Sequence, residues 1–252
     1  MHNFRKDTNK FISNLSKCLT DDKCNVFYRH IGKTGGTTVE ARMFQGFPFT
    51  YASKHQESCC GIDVMNDFKN NKEKYCNAKF TSYQISSFFL ENVVKDCMDL
   101  KPDDHRALVL VSMRDPASRT ISNIHQICNK KLTKRDDKVL RACRDCKYEG
   151  EHIEVFNRFV DLTNEAYLDI IDVTQLPYAI PNVNVMTFDT DDINELFSLL
   201  QDEMPNHSFL EAEEKKNPES IWNCDFALNS KMLKRLKISR EIYRNLTAGI
   251  IN

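Results

Sequence analysis

Phe27–Glu40 reads FYRHIGKTGGTTVE, and the fold turns on this stretch. Its first residues continue a β-prone run, Asn25–Ile31 (NVFYRHI), that has the composition of a strand. Gly32, Gly35 and Gly36 then break the run, and helical patterning begins at about Thr37. A strand that turns through glycines straight into a helix opens a βα unit. Such a turn brings backbone N–H groups and a helix N-terminus to one point, which makes a seat for an anion. Gly35 and Gly36 would let the backbone approach a phosphate, and Lys33 would add a mobile positive charge. Thr34, Thr37 and Thr38 would supply further hydrogen bonds. The bland alternative is an ordinary strand–turn–helix with a solvated lysine.

Working outward, Phe47–Ala52 reads as a short second strand and Ala78–Tyr83 as a third, with Ser87–Cys97 helical. Ala107–Met113 (ALVLVSM) is a continuous apolar run, the pattern of a central strand covered on both faces. Pro116 follows at the favoured first-turn position of a helix. Val183–Phe188 is another strand, and acidic residues mark a helix start near Asp192. Met232, Leu236, Tyr243, Leu246 and Ile250 fall on one face of a terminal helix. Strands and helices alternate at separations that suit right-handed crossovers. The expected class is α/β: a P-loop-like three-layer sandwich, its central parallel sheet flanked by helices. No linker or repeat divides the chain, so residues 25–252 are expected to form one domain behind an N-terminal extension, 1–24.

The 252 residues are 41% hydrophobic and 28% charged, the composition of a globular domain, and the net charge is −1. A near-neutral chain gives no case for nucleic-acid or membrane binding through overall charge, so any polyanion site must be local. No apolar run reaches the roughly 18 residues of a membrane span, so no membrane anchor is expected within this chain. Ten cysteines, an even and high number, point to disulfides and an oxidising compartment. Sequons at Asn14, Asn206 and Asn245 agree with a lumenal origin, and a cytoplasmic one stays open. Cys59-Cys60 and the Cys143/Cys146 pair fit no zinc-ribbon spacing, which favours structural disulfides over a metal site.

A nucleotide-triphosphate loop of Walker type would place Gly at position 27, where Phe27 stands. The best strand also ends in Arg114-Asp115-Pro116 rather than in a lone metal-holding acid. What His30–Thr38 (HIGKTGGTT) does resemble is the 5′-phosphosulfate loop of Golgi-type carbohydrate sulfotransferases, above all the heparan sulfate 6-O- and 2-O-sulfotransferases. Val111–Ser122 (VSMRDPASRTIS) is similar to their 3′-phosphate motif, with Arg114 and Ser122 eight residues apart. An Arg at a strand end and a hydroxyl on the next helix suit a dianionic phosphate. Weaker likeness continues through Val185–Phe188, Glu214–Pro218 and Leu233 to Tyr243, so the resemblance runs from about Asn25 to Leu246.

The resemblance implies a PAPS-dependent O-sulfotransferase (PAPS is 3′-phosphoadenosine 5′-phosphosulfate) that sulfates a carbohydrate hydroxyl in the Golgi lumen or secretory pathway. Lys33 would stabilise the leaving oxygen. Thr34, Gly35, Gly36, Thr37 and Thr38 would cradle the 5′ end, Arg114 and Ser122 would hold the 3′-phosphate, and no metal is implied. The family's base sits near the end of the strand before the Arg-Asp-Pro strand, where this chain has Lys79–Gln84 (KFTSYQ), with no His or carboxylate. His55, His125 and Tyr83 are the candidates in its place, and surface or packing roles stay open for both histidines. The basic stretch with Lys130, Lys131, Lys134, Arg135, Arg141 and Arg144 would meet an acidic glycan, or else form a solvated loop diluted by Asp136, Asp137 and Asp145. Two rivals remain: a non-catalytic protein of the same fold that binds nucleotide or glycan, and a nucleotide kinase or NTPase.

Overall fold

The run read as the first strand forms β1, Cys24–Arg29, and every residue of it is buried. In the computed structural model, which describes residues 4–32, 34–47, 51–52, 62–129, 153–209 and 228–248, this strand lies in the middle of a parallel sheet. The chain divides into two compact units: Met1–Met113 with Asp169–Ala212, and Arg114–Leu168 with Glu213–Asn252.

The first unit holds the whole sheet. Its helices and strands are α1 (Phe4–Thr20), β1, α2 (Gly36–Gly46), β2 (Tyr51–Ala52), α3 (Ile62–Asn70), α4 (Lys72–Asn77), β3 (Phe80–Tyr83), α5 (Ser87–Met98) and β4 (Arg106–Met113). The five strands lie in the order β2-β3-β1-β4-β5, where β5 is Val183–Asp189, and every neighbouring pair is parallel. The expected α/β class with a central parallel sheet flanked by helices is therefore present.

Side chains alternate between the faces of each strand. On one face Val26, Tyr28, Phe80, Leu108 and Leu110 join a core completed by α1, α2 and the helix after β5. On the other, Phe27, Val109 and Val111 are equally buried, and α5 packs against β4. The segment expected as an extension supplies α1, whose Phe11, Ile12, Leu15 and Leu19 are part of the core. A disulfide joins Cys18 at the end of α1 to Cys24 at the start of β1, and a second joins Cys76 of α4 to Cys97 of α5. Between α1 and β1, Lys79 donates to the carbonyls of Cys18, Asp21 and Cys24 at 3.3, 2.5 and 2.8 Å.

The second unit contains α6 (Pro116–Asn129), most of α7 (Ile153–Thr174), α10 (Ser230–Arg235) and α11 (Lys237–Thr247). Asp115 starts α6 by accepting the Ser118 N–H at 2.9 Å, and Pro116 takes the first helical position as expected. Arg119 and Thr120 of α6 reach Thr163 of α7 at 3.1 and 2.8 Å. The terminal helix read from the apolar spacing is two helices, broken at Leu236. Asn164 Nδ2 donates to the Arg235 carbonyl at 3.0 Å, while Asn164 Oδ1 accepts the Ser239 hydroxyl at 2.8 Å. A side chain on α7 thus intercepts a carbonyl at the break, and no glycine or proline is involved.

The remaining elements belong to the first unit. They are α8 (Leu176–Ala179), a 3-10 turn at Thr190–Asp192 and α9 (Ile193–Glu203), close to the strand and helix expected there.

Candidate functional site

At the C-terminal end of β1 the chain turns through Ile31–Gly35 and enters α2 at Gly36. Gly35 adopts a left-handed φ of 69°, a conformation that glycine takes without steric cost. A β-carbon there would stand 2.4 Å from Ile193 Cδ1. A β-carbon on Gly36 would stand 2.0 Å from His30 Cδ2. Gly35 is therefore required by its backbone conformation, and Gly36 by its packing against the His30 ring.

The start of α2 provides donors. Thr38 and Val39 N–H both bond to the Gly35 carbonyl, at 3.0 and 3.2 Å. By position, the N–H groups of Gly36 and Thr37 precede the first intrahelical bonds and suit an anion. Thr37 is exposed and Thr38 is half-buried, so both hydroxyls lie near the surface. Thr34 is different. It is fully buried, its Oγ1 lies 2.7 Å from the Ile31 carbonyl and 2.8 Å from Ser112 Oγ, and its N–H also bonds to Ile31. Its hydroxyl is committed to the protein.

Beneath the loop, His30 Nδ1 lies 3.0 Å from Glu40 Oε1, the same oxygen that accepts the Ser82 hydroxyl. This buried cluster links β1, α2 and β3. Arg29, one residue earlier, faces the other way. It bonds to Asp169 at 2.8 Å, while the second oxygen of Asp169 accepts the Ser87 N–H that opens α5. Sequence reading passed over Ser112, Glu40, His30 and Asp169. The legible signal was Ser112, a lone hydroxyl inside the apolar run ALVLVSM.

Thr190 and Ile193, which flank Gly35, belong to an acidic segment. Burial, together with the charges of Asp189, Glu195 and Asp191, pushes the Asp192 carboxyl up to about 6. The field beside the loop is therefore mixed, with donors on α2 and carboxylates opening α9.

In the second unit Arg114 is half-buried. Its backbone carbonyl accepts the Tyr167 hydroxyl, and its Nε is buried with no partner among the described residues. The Nε atoms of Arg29 and Arg42 are buried in the same way, so what suits Arg114 to an anion is its guanidinium at the end of a strand. Ser122 and His125 are both half-buried on α6.

Tyr83 is fully buried on β3, with its ring 6.0 Å from Tyr75, which gives an incoming acceptor no access to it. Lys33, His55 and the basic stretch Lys130–Arg144 lie outside the described residues, as do Cys59, Cys60, Cys143 and Cys146.

Compared with models of known protein families and with characterised proteins, the chain matches none. Among the described residues no helix is long and apolar enough to cross a membrane.

Proposed function

We propose that this chain is a PAPS-dependent O-sulfotransferase whose acceptor is a carbohydrate hydroxyl, working in the Golgi lumen or elsewhere in the secretory pathway. The observation that carries the reading is the turn from β1 into α2. A left-handed Gly35 and a packed Gly36 open helix α2 at the C-terminal end of a parallel strand, and the first N–H groups of a helix have no preceding turn to bond to. Open α/β sheets bind ligands at the carboxyl ends of their strands. The Arg114-Asp115-Pro116 motif with Ser122, an Arg at a strand end and a hydroxyl on the next helix, supports a second anion-binding element. Two disulfides agree with an oxidising compartment.

In the reaction the acceptor oxygen attacks the sulfur of PAPS in line. The bond from sulfur to the 5′-phosphate oxygen breaks, PAP leaves with the electron pair, and the acceptor proton passes to a base. Lys33 neutralises the oxygen that leaves, and the Gly36 and Thr37 N–H groups hold the 5′-phosphate. Thr38 adds its hydroxyl, while Arg114 and Ser122 take the 3′-phosphate. His55 and His125 are the bases to test first, since Tyr83 is closed off.

The deciding experiment incubates the protein with labelled PAPS and a panel of neutral and acidic glycans, then locates the sulfate by mass spectrometry. Sulfated glycan with release of PAP is the expected outcome. PAP binding with no transfer to any acceptor would leave a binding protein, and magnesium-dependent ATP turnover without PAPS use would make it an NTPase.

A further inference from the structure

We infer that Ser112 is a positioning residue for the phosphate loop, acting through a one-way chain of hydrogen bonds from Tyr28 to the Ile31 carbonyl. The inference rests on the sulfotransferase reading only for its effect on nucleotide binding. The chain itself is set by geometry.

Four groups are involved, all in the first unit. Tyr28 OH lies 2.6 Å from Ser112 Oγ, Ser112 Oγ lies 2.8 Å from Thr34 Oγ1, and Thr34 Oγ1 lies 2.7 Å from the Ile31 carbonyl. A carbonyl only accepts, so Thr34 must spend its single hydroxyl proton on Ile31. Thr34 Oγ1 then accepts from Ser112, which spends the proton of Ser112. Ser112 in turn accepts from Tyr28, whose phenol must remain protonated. Burial agrees, since it pushes the Tyr28 phenol well above its ordinary value. Every proton has one place to go, and the direction cannot reverse.

The chain has a structural result. Ile31 to Thr34 is a four-residue turn, closed both by the Thr34 N–H and by its hydroxyl on the same carbonyl. In sequence Lys33 directly precedes Thr34. The bond from Ser112 ties the turn to β4, so the neighbouring strand fixes where the turn stands relative to the start of α2. Ser112 is fully buried and is assigned no contact with the nucleotide. Its influence on binding must pass through Thr34.

The test separates positioning from stability. Ser112→Ala leaves the buried Tyr28 hydroxyl without its acceptor and Thr34 without its donor. Adding Tyr28→Phe removes the first defect and not the second. The melting temperature of the double variant should therefore recover part of the loss seen in Ser112→Ala. Amide hydrogen exchange at Thr34–Thr37 should be faster in both variants and near wild type in Tyr28→Phe alone. PAP affinity should fall about tenfold in Ser112→Ala and stay low in the double variant, a change of one lost hydrogen bond. If Ser112→Ala does not fold, Thr34→Val deletes the same link with little change of shape and should loosen the same amides. Loop exchange that is unchanged in the variant that folds overturns the inference. Equal loosening by Tyr28→Phe alone overturns it too, because the effect would then be general destabilisation. If the wild-type protein binds no PAP, the sulfotransferase reading falls, and the exchange data still decide the hydrogen-bond chain.

Discussion

Gly36 packs directly on the imidazole of His30, leaving no room for a β-carbon between helix α2 and the end of β1. His30 cannot retreat easily, because Glu40 holds its Nδ1 and Ser82 holds Glu40. Gly36→Ala should therefore destabilise the fold by about 1–3 kcal/mol, the usual penalty for overpacking. His30→Ala in the same chain should relieve part of it, so the two changes will not add. Thermal or denaturant melts of the four proteins in the cycle check this. Simple additivity would mean that the two residues are not in contact.

The role given to Lys33 is separable from binding. Lys33→Ala should lower turnover more than it weakens PAP, since its charge matters most as the leaving oxygen becomes negative. Arg114→Ala should instead remove most of the preference for PAP over ATP, because ATP has no 3′-phosphate. Ligand-dependent melting shifts measure the second effect and steady-state kinetics the first. Equal stabilisation by PAP and ATP in both wild type and Arg114→Ala would dismiss the 3′ assignment.

Asp192 predicts a particular pH dependence. Its carboxyl titrates near 6 in the folded chain, against 3.8 when unperturbed, because burial and its acidic neighbours disfavour the charge. The folded state thus holds the proton more tightly, and stability is lost as pH rises from about 4 through about 6. Asp192→Asn removes that loss. The variant should melt higher than wild type at pH 7, with the difference closing below about pH 4. Melts that differ by the same amount across this range would show that the carboxyl does not titrate there.

The two disulfides should contribute unequally. Cys76 and Cys97 are 21 residues apart in sequence and Cys18 and Cys24 only 6. On loop-closure entropy alone, opening the longer link should cost about 3 kcal/mol and the shorter about 2. Paired Cys→Ala variants, melted under oxidising conditions, check the order. A larger loss from the Cys18–Cys24 pair would indicate that docking of α1 matters more than the closed loop.

The strands were legible in β4, a continuous apolar run buried along all but its first residue, and in β1, a β-prone run that ends at glycines. The turn after β1 was legible because three glycines stand where few occur elsewhere, with 7 in the whole chain. The inward turn of Thr34 was not, because the residue that captures it, Ser112, is 78 positions away. For the same reason the break at Leu236 was hidden. Apolar spacing continues through it, and the interruption comes from Asn164 on another helix. Glu40 reads in sequence as one polar position on an amphipathic helix, and only the register of α2 against β3 turns it inward to Ser82. Periodicity reports which face of an element is apolar, and it carries nothing about the polar atom waiting across the gap.

The strand order has a consequence for how the chain reaches this state. β1 pairs with β3 at Phe80–Tyr83 and with β4 at Arg106–Met113, so both of its neighbours come from sequence far downstream. Pairing of such distant segments is slow, because long loops must close before any ladder bond is gained. Through that interval the apolar stretch Asn25–Ile31 has two open edges and is exposed to misassembly. The loop after β1, whose turn is tied to Ser112, cannot take its final shape until β4 has docked. A part of the molecule that is made early is finished late, so the PAP binding proposed for this loop should appear with the last kinetic phase of refolding, not the first.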